Sequence, residues 1–473
     1  MVFNSFEFLL FFVFVYAAYR FMRHRTQNLF LLTASYFFYG SWDWRFLFLL
    51  FLSTVVDYFC AQKIAVSTDS KPKKAWLIFS LCVNLGILGF FKYFNFFAES
   101  LSGLFVSCGV HIDIITLKVI LPVGVSFYTF QSISYIVDVY WKKLKPERNF
   151  LDYALFVAFF PQLVAGPIER AQHMIPQFKS PRVITAQKNK EGVWFVYWGL
   201  FLKVFVADNM ARIVDIVFKQ SGQIPGVEVL LGSYAFAFQI FGDFAGYSFI
   251  AMGVARLLGF DLLSNFLFPY FVTNPRDFWR NWHISLSSWL KDYLYVPLGG
   301  NRNGELKTYR NLMLTMFLGG LWHGAAVTFG IWGIYHGVML CVHRSMTAVK
   351  KKNPIRLESS LWKHSIKVVL MFQLTCLGWL IFRADSVGQL KDMVNSLLFN
   401  FGSYSQKAPY LACQILFYSW MLLLIQAVQK RRNNLFPFME SRGLWPLVVY
   451  VLMYYMLLFW GEFGGQEFIY FQF

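Results

Sequence analysis

Charge is what this chain is short of. Of its 473 residues only 14% are Asp, Glu, Lys or Arg, while 57% are hydrophobic. Soluble domains carry roughly 25% charged residues, so the composition excludes a soluble globular protein and points to one embedded in lipid. From Asn311 to Cys341 there is no charged residue at all. The apolar runs are continuous and lack the alternation of barrel strands, which leaves helices as the spanning elements. The six cysteines (Cys60, Cys82, Cys108, Cys341, Cys376, Cys413) are scattered and show no CxxC or CxxH spacing, so no zinc, other metal or redox site is expected. There is no P-loop or GxGxxG context, no internal repeat, no low-complexity tract and no soluble segment. Residues 1–473 therefore read as one polytopic membrane domain.

What is present fits that reading. Aromatics make up 21% of the chain, with 56 Phe, which suits lipid-facing surface and interfacial belts. The formal net charge is +18, and the positive residues gather in short loops between apolar runs. Attraction to anionic lipid headgroups accounts for them, and nucleic acid is not expected as a partner. The first apolar run, 6–19, has no basic residues before it; Arg20, Arg23 and Arg25 follow it. That order argues against a cleavable signal and places the first loop in the cytoplasm. The apolar segments lead to an expectation of about 11 transmembrane helices, with additional re-entrant or interfacial helices and both termini outside.

Two places break simple alternation. Loops 141–149 and 170–190 are both basic, yet one apolar segment separates them; the same holds for 276–310 and 344–367. Each intervening segment is expected to be a re-entrant pair or a broken helix. Irregular backbone at membrane depth is tolerated only against protein or a water-filled cavity. Gly319, Gly320 and Gly324 are the expected break points in the second. His323, in Gly319-Gly320-Leu321-Trp322-His323-Gly324, then sits near a turn inside a polar cavity. An ionisable residue at such depth is a functional candidate, and histidine suits proton transfer near neutral pH.

The segment from Arg276 to Gly300 is too polar for an ordinary span and too aromatic for a solvated loop. It reads as interfacial or inward-folding, and it carries Arg280, Trp282, His283, Lys291 and Asp292. Asp243, in the apolar span 229–260, has two readings: a tunnel-lining carboxylate that orients a histidine or a donor, or a helix-packing ion pair. His336 and His343 share a helix face but read as packing and interfacial residues. The basic stretch from Lys291 to Arg310 suits either donor phosphates or lipid headgroups. His24, His111, His173 and His364 are assigned no role.

His283 and His323, with 276–301 and 321–337 around them, resemble the membrane-bound O-acyltransferase superfamily, above all its bacterial alginate O-acetylation and peptidoglycan O-acetyltransferase members. Leu121-Pro122-Val123-Gly124-Val125-Ser126-Phe127-Tyr128, Phe160-Pro161-Gln162-Leu163-Val164-Ala165-Gly166-Pro167 and the C-terminal Phe468-Ile469-Tyr470-Phe471-Gln472-Phe473 add to the likeness, which runs over most of the chain. The resemblance implies helices ringed around a central tunnel, with His323 as catalytic residue near its waist and His283 as companion. It implies an acyl, expected to be acetyl, group moved from a cytoplasmic thioester donor (acetyl-CoA or an acyl carrier protein) to a hydroxyl of an exported polysaccharide, in a bacterial inner membrane. The transfer is direct or passes through a periplasmic SGNH-type partner. No cofactor is expected to be held tightly.

A thioester is already activated, so transfer mainly needs a base and oxyanion stabilisation. His323 is expected to take the hydroxyl proton, with His283 positioning the donor, stabilising the oxyanion or assisting. Trp322, Trp282, Asp243, Arg280, Lys291 and Asp292 are expected around the tunnel or donor. In many members of the resembled family a second acid stands six positions after the counterpart of Asp243; here that position is Phe249. Other acyl-transfer solutions are missing. No histidine is followed five positions later by aspartate, and Ser126 lacks the second glycine of a nucleophile elbow. Teichoic-acid D-alanylation, lipid or protein acylation, and a transporter with a histidine proton relay are the alternatives. The C-terminal aromatic tail is expected outside, as an interfacial anchor or partner-docking segment.

Overall fold

The computed structural model describes all residues except 110–120, 165, 221–223, 353–360, 440–442, 465–467 and 470–473, and the side chains of 348–352 and 361. His111 and Tyr470 to Phe473 of the C-terminal motif lie outside the described residues. Every regular element among the described residues is helical. Among the described residues, five helices are long and apolar enough to cross a membrane, namely Phe46–Val66, Ser70–Ser107, Gly226–Leu257, Trp362–Arg383 and Ala408–Arg432, and the apolar Trp445–Trp460 helix is shorter. The protein is thus an all-α, multi-pass membrane protein. Several apolar runs are divided into shorter helices rather than kept as single spans.

The chain forms two compact units, residues 1–193 with 251–263, and residues 194–250 with 264–473. In the first, the 150–168 run is a re-entrant element. The Phe150–Ala158 helix has 9 residues, about 14 Å, too short to cross a bilayer core of about 30 Å. Its ends come back together: Lys179 Nζ pairs with Glu147 Oε2 at 3.0 Å, and Asn28 Nδ2 donates to both Asp152 Oδ1 and the Phe178 carbonyl at 2.9 Å. The broken backbone at the tip needs partners in a medium without water. Gln131 Nε2 and Gln162 Nε2 both donate to the Phe156 carbonyl, at 2.5 and 2.7 Å. Gly124, at φ +74°, lies under this tip; a Cβ there would stand 2.5 Å from the Leu163 carbonyl oxygen. Two of the sequence motifs therefore meet through a backbone contact that a side chain would block. The same unit buries Asp57 on the Phe46–Val66 helix, where Ser80 Oγ donates to Oδ1 at 2.5 Å and Asn84 Nδ2 at 2.9 Å.

In the second unit, Glu305–His323 and Val327–Lys352 form an antiparallel hairpin that turns at 324–326. The pairing can be followed along its length. Gly333 faces the Met316 carbonyl, Gly337 faces Met313, and Arg344 makes a two-pronged ion pair with Glu305 at 2.9 and 3.0 Å at the open end. This segment returns to the side from which it starts, as the charges of its flanking loops require. The break falls only at Gly324. Gly319 and Gly320 lie inside the first helix, because Gly320 is needed for close approach: a Cβ there would come 2.3 Å from the Phe329 carbonyl oxygen. The first helix has 19 residues, about 28 Å, so the hairpin tip lies deep.

Candidate active site

His323 is the last residue of the Glu305–His323 helix, so the hairpin turn fixes its depth. It is 3% exposed. Its ring lies 5.0 Å from Trp322, 5.1 Å from Trp332 and 5.4 Å from Phe382, each edge-on. The cage therefore draws on the same hairpin and on the Leu361–Arg383 helix.

His283 joins two seven-residue helices, Pro275–Asn281 and Ile284–Leu290. Its backbone is left-handed, at φ 41° and ψ 56°, which costs a non-glycine residue energy and marks a turn held by its surroundings. The splint is visible. Asn265 accepts the Ile284 N–H on its carbonyl at 2.9 Å and the Ser285 hydroxyl on Oδ1 at 2.6 Å. Asn265 Nδ2 in turn donates to Ser248 Oγ at 3.0 Å. His283 is fully buried, and its ring centroid is 6.5 Å from that of His323. Trp322 stands beside both, 5.9 Å from His283. The His283 turn lies outside the spanning helices, and burial pushes its imidazole down to about 3. Burial thus favours the neutral imidazole.

A cavity of about 930 Å³ opens beside this pair, within the usual range of ligand sites. Its walls carry Arg276, Arg280, Lys291, Arg302 and Arg344. Trp279, Ile284 and Met316 line it as well. Ile284 is the neighbour of His283, and Trp279 lies 5.7 Å from Trp332, which touches His323. The lining is mostly basic, with Glu305 among it, and neither histidine is part of it: Ile284 follows His283 in sequence, and Trp279 and Trp332 stand between the cavity and His323.

The structure brings together His283, His323 and Trp322, and sets Arg280 and Lys291 on the cavity wall. Trp282, Asp243 and Asp292 are placed elsewhere. Trp282 is packed among Trp379, Phe266 and Phe278 at 4.7, 5.0 and 5.7 Å, so its indole is used in the core. Asp243 Oδ1 pairs with the buried Lys203 at 2.9 Å, the helix-packing alternative of its two readings. Asp292 pairs with Lys291 at 3.8 Å and is partly exposed.

Sequence reasoning passed over Lys203, Trp332, Phe382 and Asn265. Lys203 did leave a signal, since it is a cation inside the apolar stretch 192–207 with Asp208 five positions on. His336 is a buried ring stacked on Phe278 and edge-on to Trp332 at 4.7 Å, which is the packing role expected of it.

The sequence profile of the membrane-bound O-acyltransferase family matches residues 142–378, a range that contains both histidines. The chain is 42% identical over 406 residues to the probable alginate O-acetylase AlgI of Pseudomonas putida, covering 85% of this chain and 81% of that one. It is 39% identical over 398 residues to the peptidoglycan O-acetyltransferase of Helicobacter pylori, covering 78% and 73%. Similarity to the teichoic acid D-alanyltransferase of Bacillus subtilis is lower, 28% over 272 residues, covering 55% and 68%. With a matching profile over half its length and these relatives, the chain belongs to the membrane-bound O-acyltransferase family and is an O-acyltransferase.

Proposed function

We propose that this protein moves an acetyl group from a cytoplasmic thioester to a hydroxyl of an exported polysaccharide, across a bacterial inner membrane, directly or through a periplasmic SGNH-type partner. The observation that supports it most is the pairing of two buried histidines, ring centroids 6.5 Å apart, behind a cavity walled by five basic side chains. Arg276, Arg280, Lys291 and Arg302 suit the phosphates of coenzyme A or of a carrier-bound pantetheine, which they would meet as charge-assisted hydrogen bonds, while Arg344 is already paired with Glu305 on the same wall. The apolar inner wall suits the arm that follows. In the transfer, the acceptor oxygen attacks the thioester carbonyl carbon. A C–O bond forms, the C–S bond breaks, and the hydroxyl proton passes to His323 and then to the leaving thiolate. His283, neutral and close by, is a hydrogen-bonding group for the oxyanion rather than a second charge. Acetyl is favoured over D-alanyl because the relatives named as O-acetylating enzymes are more similar and cover more of the chain than those named as D-alanyltransferases.

The test is transfer in proteoliposomes. Acetyl-labelled coenzyme A, an acetyl-loaded carrier protein and a D-alanyl-loaded carrier are supplied on one side, with a polysaccharide acceptor on the other. Label from an acetyl donor is the expected result; transfer from the D-alanyl carrier alone would overturn the reading. Reversing charge on the cavity wall, as Arg280→Glu with Lys291→Glu, is expected to raise KM for the donor about tenfold or more with kcat little changed, since each lost charge-assisted bond is worth about 1.5 kcal/mol or more. Because burial disfavours the protonated form of His283, the acid limb of the rate profile is expected to belong to another group. His283→Asn should lower the rate and leave that limb where it is; a limb that moves with the substitution would contradict the assignment.

A further inference from the structure

Phe468 and Ile469 are buried, 0% and 2% exposed. The Ile469 N–H donates to Asp243 Oδ2 at 2.6 Å. The other oxygen of Asp243 faces Lys203 Nζ at 2.9 Å, and Lys203 also holds Asp208 Oδ1 at 2.8 Å. Two buried carboxylates share one ammonium, so Asp243 has acceptor capacity left over, and the backbone N–H of Ile469 fills part of it. Upstream, the chain is fastened a second time. The Glu462 N–H bonds the Val204 carbonyl at 3.1 Å inside the π-helical stretch Phe201–Ala207, and Asn209 Nδ2 bonds the Trp460 carbonyl at 2.8 Å. Phe468 then lies 4.5 Å from Tyr247 and 5.9 Å from Phe244. Phe244 stands edge-on to His283 at 4.6 Å.

We propose that Phe468, drawn in by Asp243, is a positioning residue for acyl transfer: it backs Phe244 against the His283 imidazole and so fixes that ring. The proposal rests on the reading that His283 assists His323. The left-handed turn sets the Cα of His283, while the orientation of its ring depends on packing. A phenyl ring edge-on to it is a good stop only if that phenyl ring cannot swing away, and Phe468 fills the space behind it. Asp243 is suited to the anchoring role because a carboxylate accepts on both oxygens. An asparagine there has one carbonyl oxygen and would set its amide N–H₂ against either Lys203 or the Ile469 N–H.

The test compares Phe468→Ala, Phe468→Leu, Asp243→Asn and the double variant in proteoliposomes, with kcat and donor KM measured beside the melting temperature. For Phe468→Ala we expect kcat to fall about tenfold with donor KM unchanged, the size of loss that a small misplacement of a catalytic group causes. Phe468→Leu should recover most of the rate. The double variant should be no slower than the slower single one, since both substitutions remove one contact. A folded Phe468→Ala or Asp243→Asn variant with normal kcat, a loss carried in KM, or losses that multiply would each overturn the proposal. If Phe468→Ala fails to accumulate, Asp243→Asn, which keeps the apolar packing, carries the test. His283→Asn separates the two levels: full activity there removes the underlying reading, whereas an inactive His283→Asn beside a fully active Phe468→Ala removes only the positioning role.

Discussion

His323→Ala is expected to lower acyl transfer by roughly 10²- to 10⁴-fold, the range a general base contributes, while the protein stays folded. The folded state should survive because His323 sits at the end of a helix, not within it, and its cage is built by Trp322, Trp332 and Phe382. Loss of the ring leaves a hole lined by aromatics, a cost of a few kcal/mol by analogy with other large-to-small changes. His323→Gln fills that hole and still cannot act as a base, so it should be as inactive as the alanine variant and closer to the parent in melting temperature. The measurement is label transfer from donor to acceptor with the melting curve recorded on the same preparation. A near-normal rate in either folded variant would remove His323 from the base role. Donor binding offers a further check. Because the basic cavity wall is formed by other residues, the fall should appear in kcat with donor affinity kept.

Much of this site is readable in the sequence, for a physical reason. An ionisable residue at membrane depth stands out from a charge-free run, and loop charges report which segments return to the side they left. Both segments flagged in this way do return, and in both an ion pair joins the ends: Glu147 with Lys179, and Glu305 with Arg344. The details that sequence reasoning missed depend on which helices touch. Gly320 reads as a breaker from its type alone, and only the approach of Phe329 shows that it is a packing residue. Trp282 and Trp322 look alike beside their histidines, yet one is used in the core and the other stands beside both imidazoles. Trp332, Phe382 and Asn265 enter the site from positions whose local pattern is that of ordinary apolar or loop sequence. The burial of Phe468 could not be read locally, because it is set by partners, Asp243 and Tyr247, more than two hundred positions away.

Gly333→Leu is expected to remove the folded protein altogether. The hairpin that carries His323 is held by backbone approach at two glycines, and the contact atoms are not flexible side chains. A Cβ at Gly333 would stand 2.4 Å from the Met316 carbonyl oxygen and 2.9 Å from the Phe317 Cα; one at Gly320 would stand 2.3 Å from the Phe329 carbonyl oxygen. Neither neighbour can turn aside, so the two helices have to part along the line from Gly320 to Gly337. In lipid the hydrophobic effect does not push helices together, and close packing at small residues supplies much of the attraction. Parting the helices therefore forfeits the contact that makes the hairpin and adds overpacking of about 1–3 kcal/mol or more. The expected outcome for Gly333→Leu and Gly320→Val is little or no monodisperse protein in detergent and no transfer activity. Gly86→Leu is the control. Gly86 lies on the spanning Ser70–Ser107 helix with nothing within 4 Å of its Cβ position, and its leucine variant should accumulate and work as the parent does. Normal yield and activity from Gly333→Leu would mean that the two helices do not approach as described, and the depth assigned to His323 would fall with that contact.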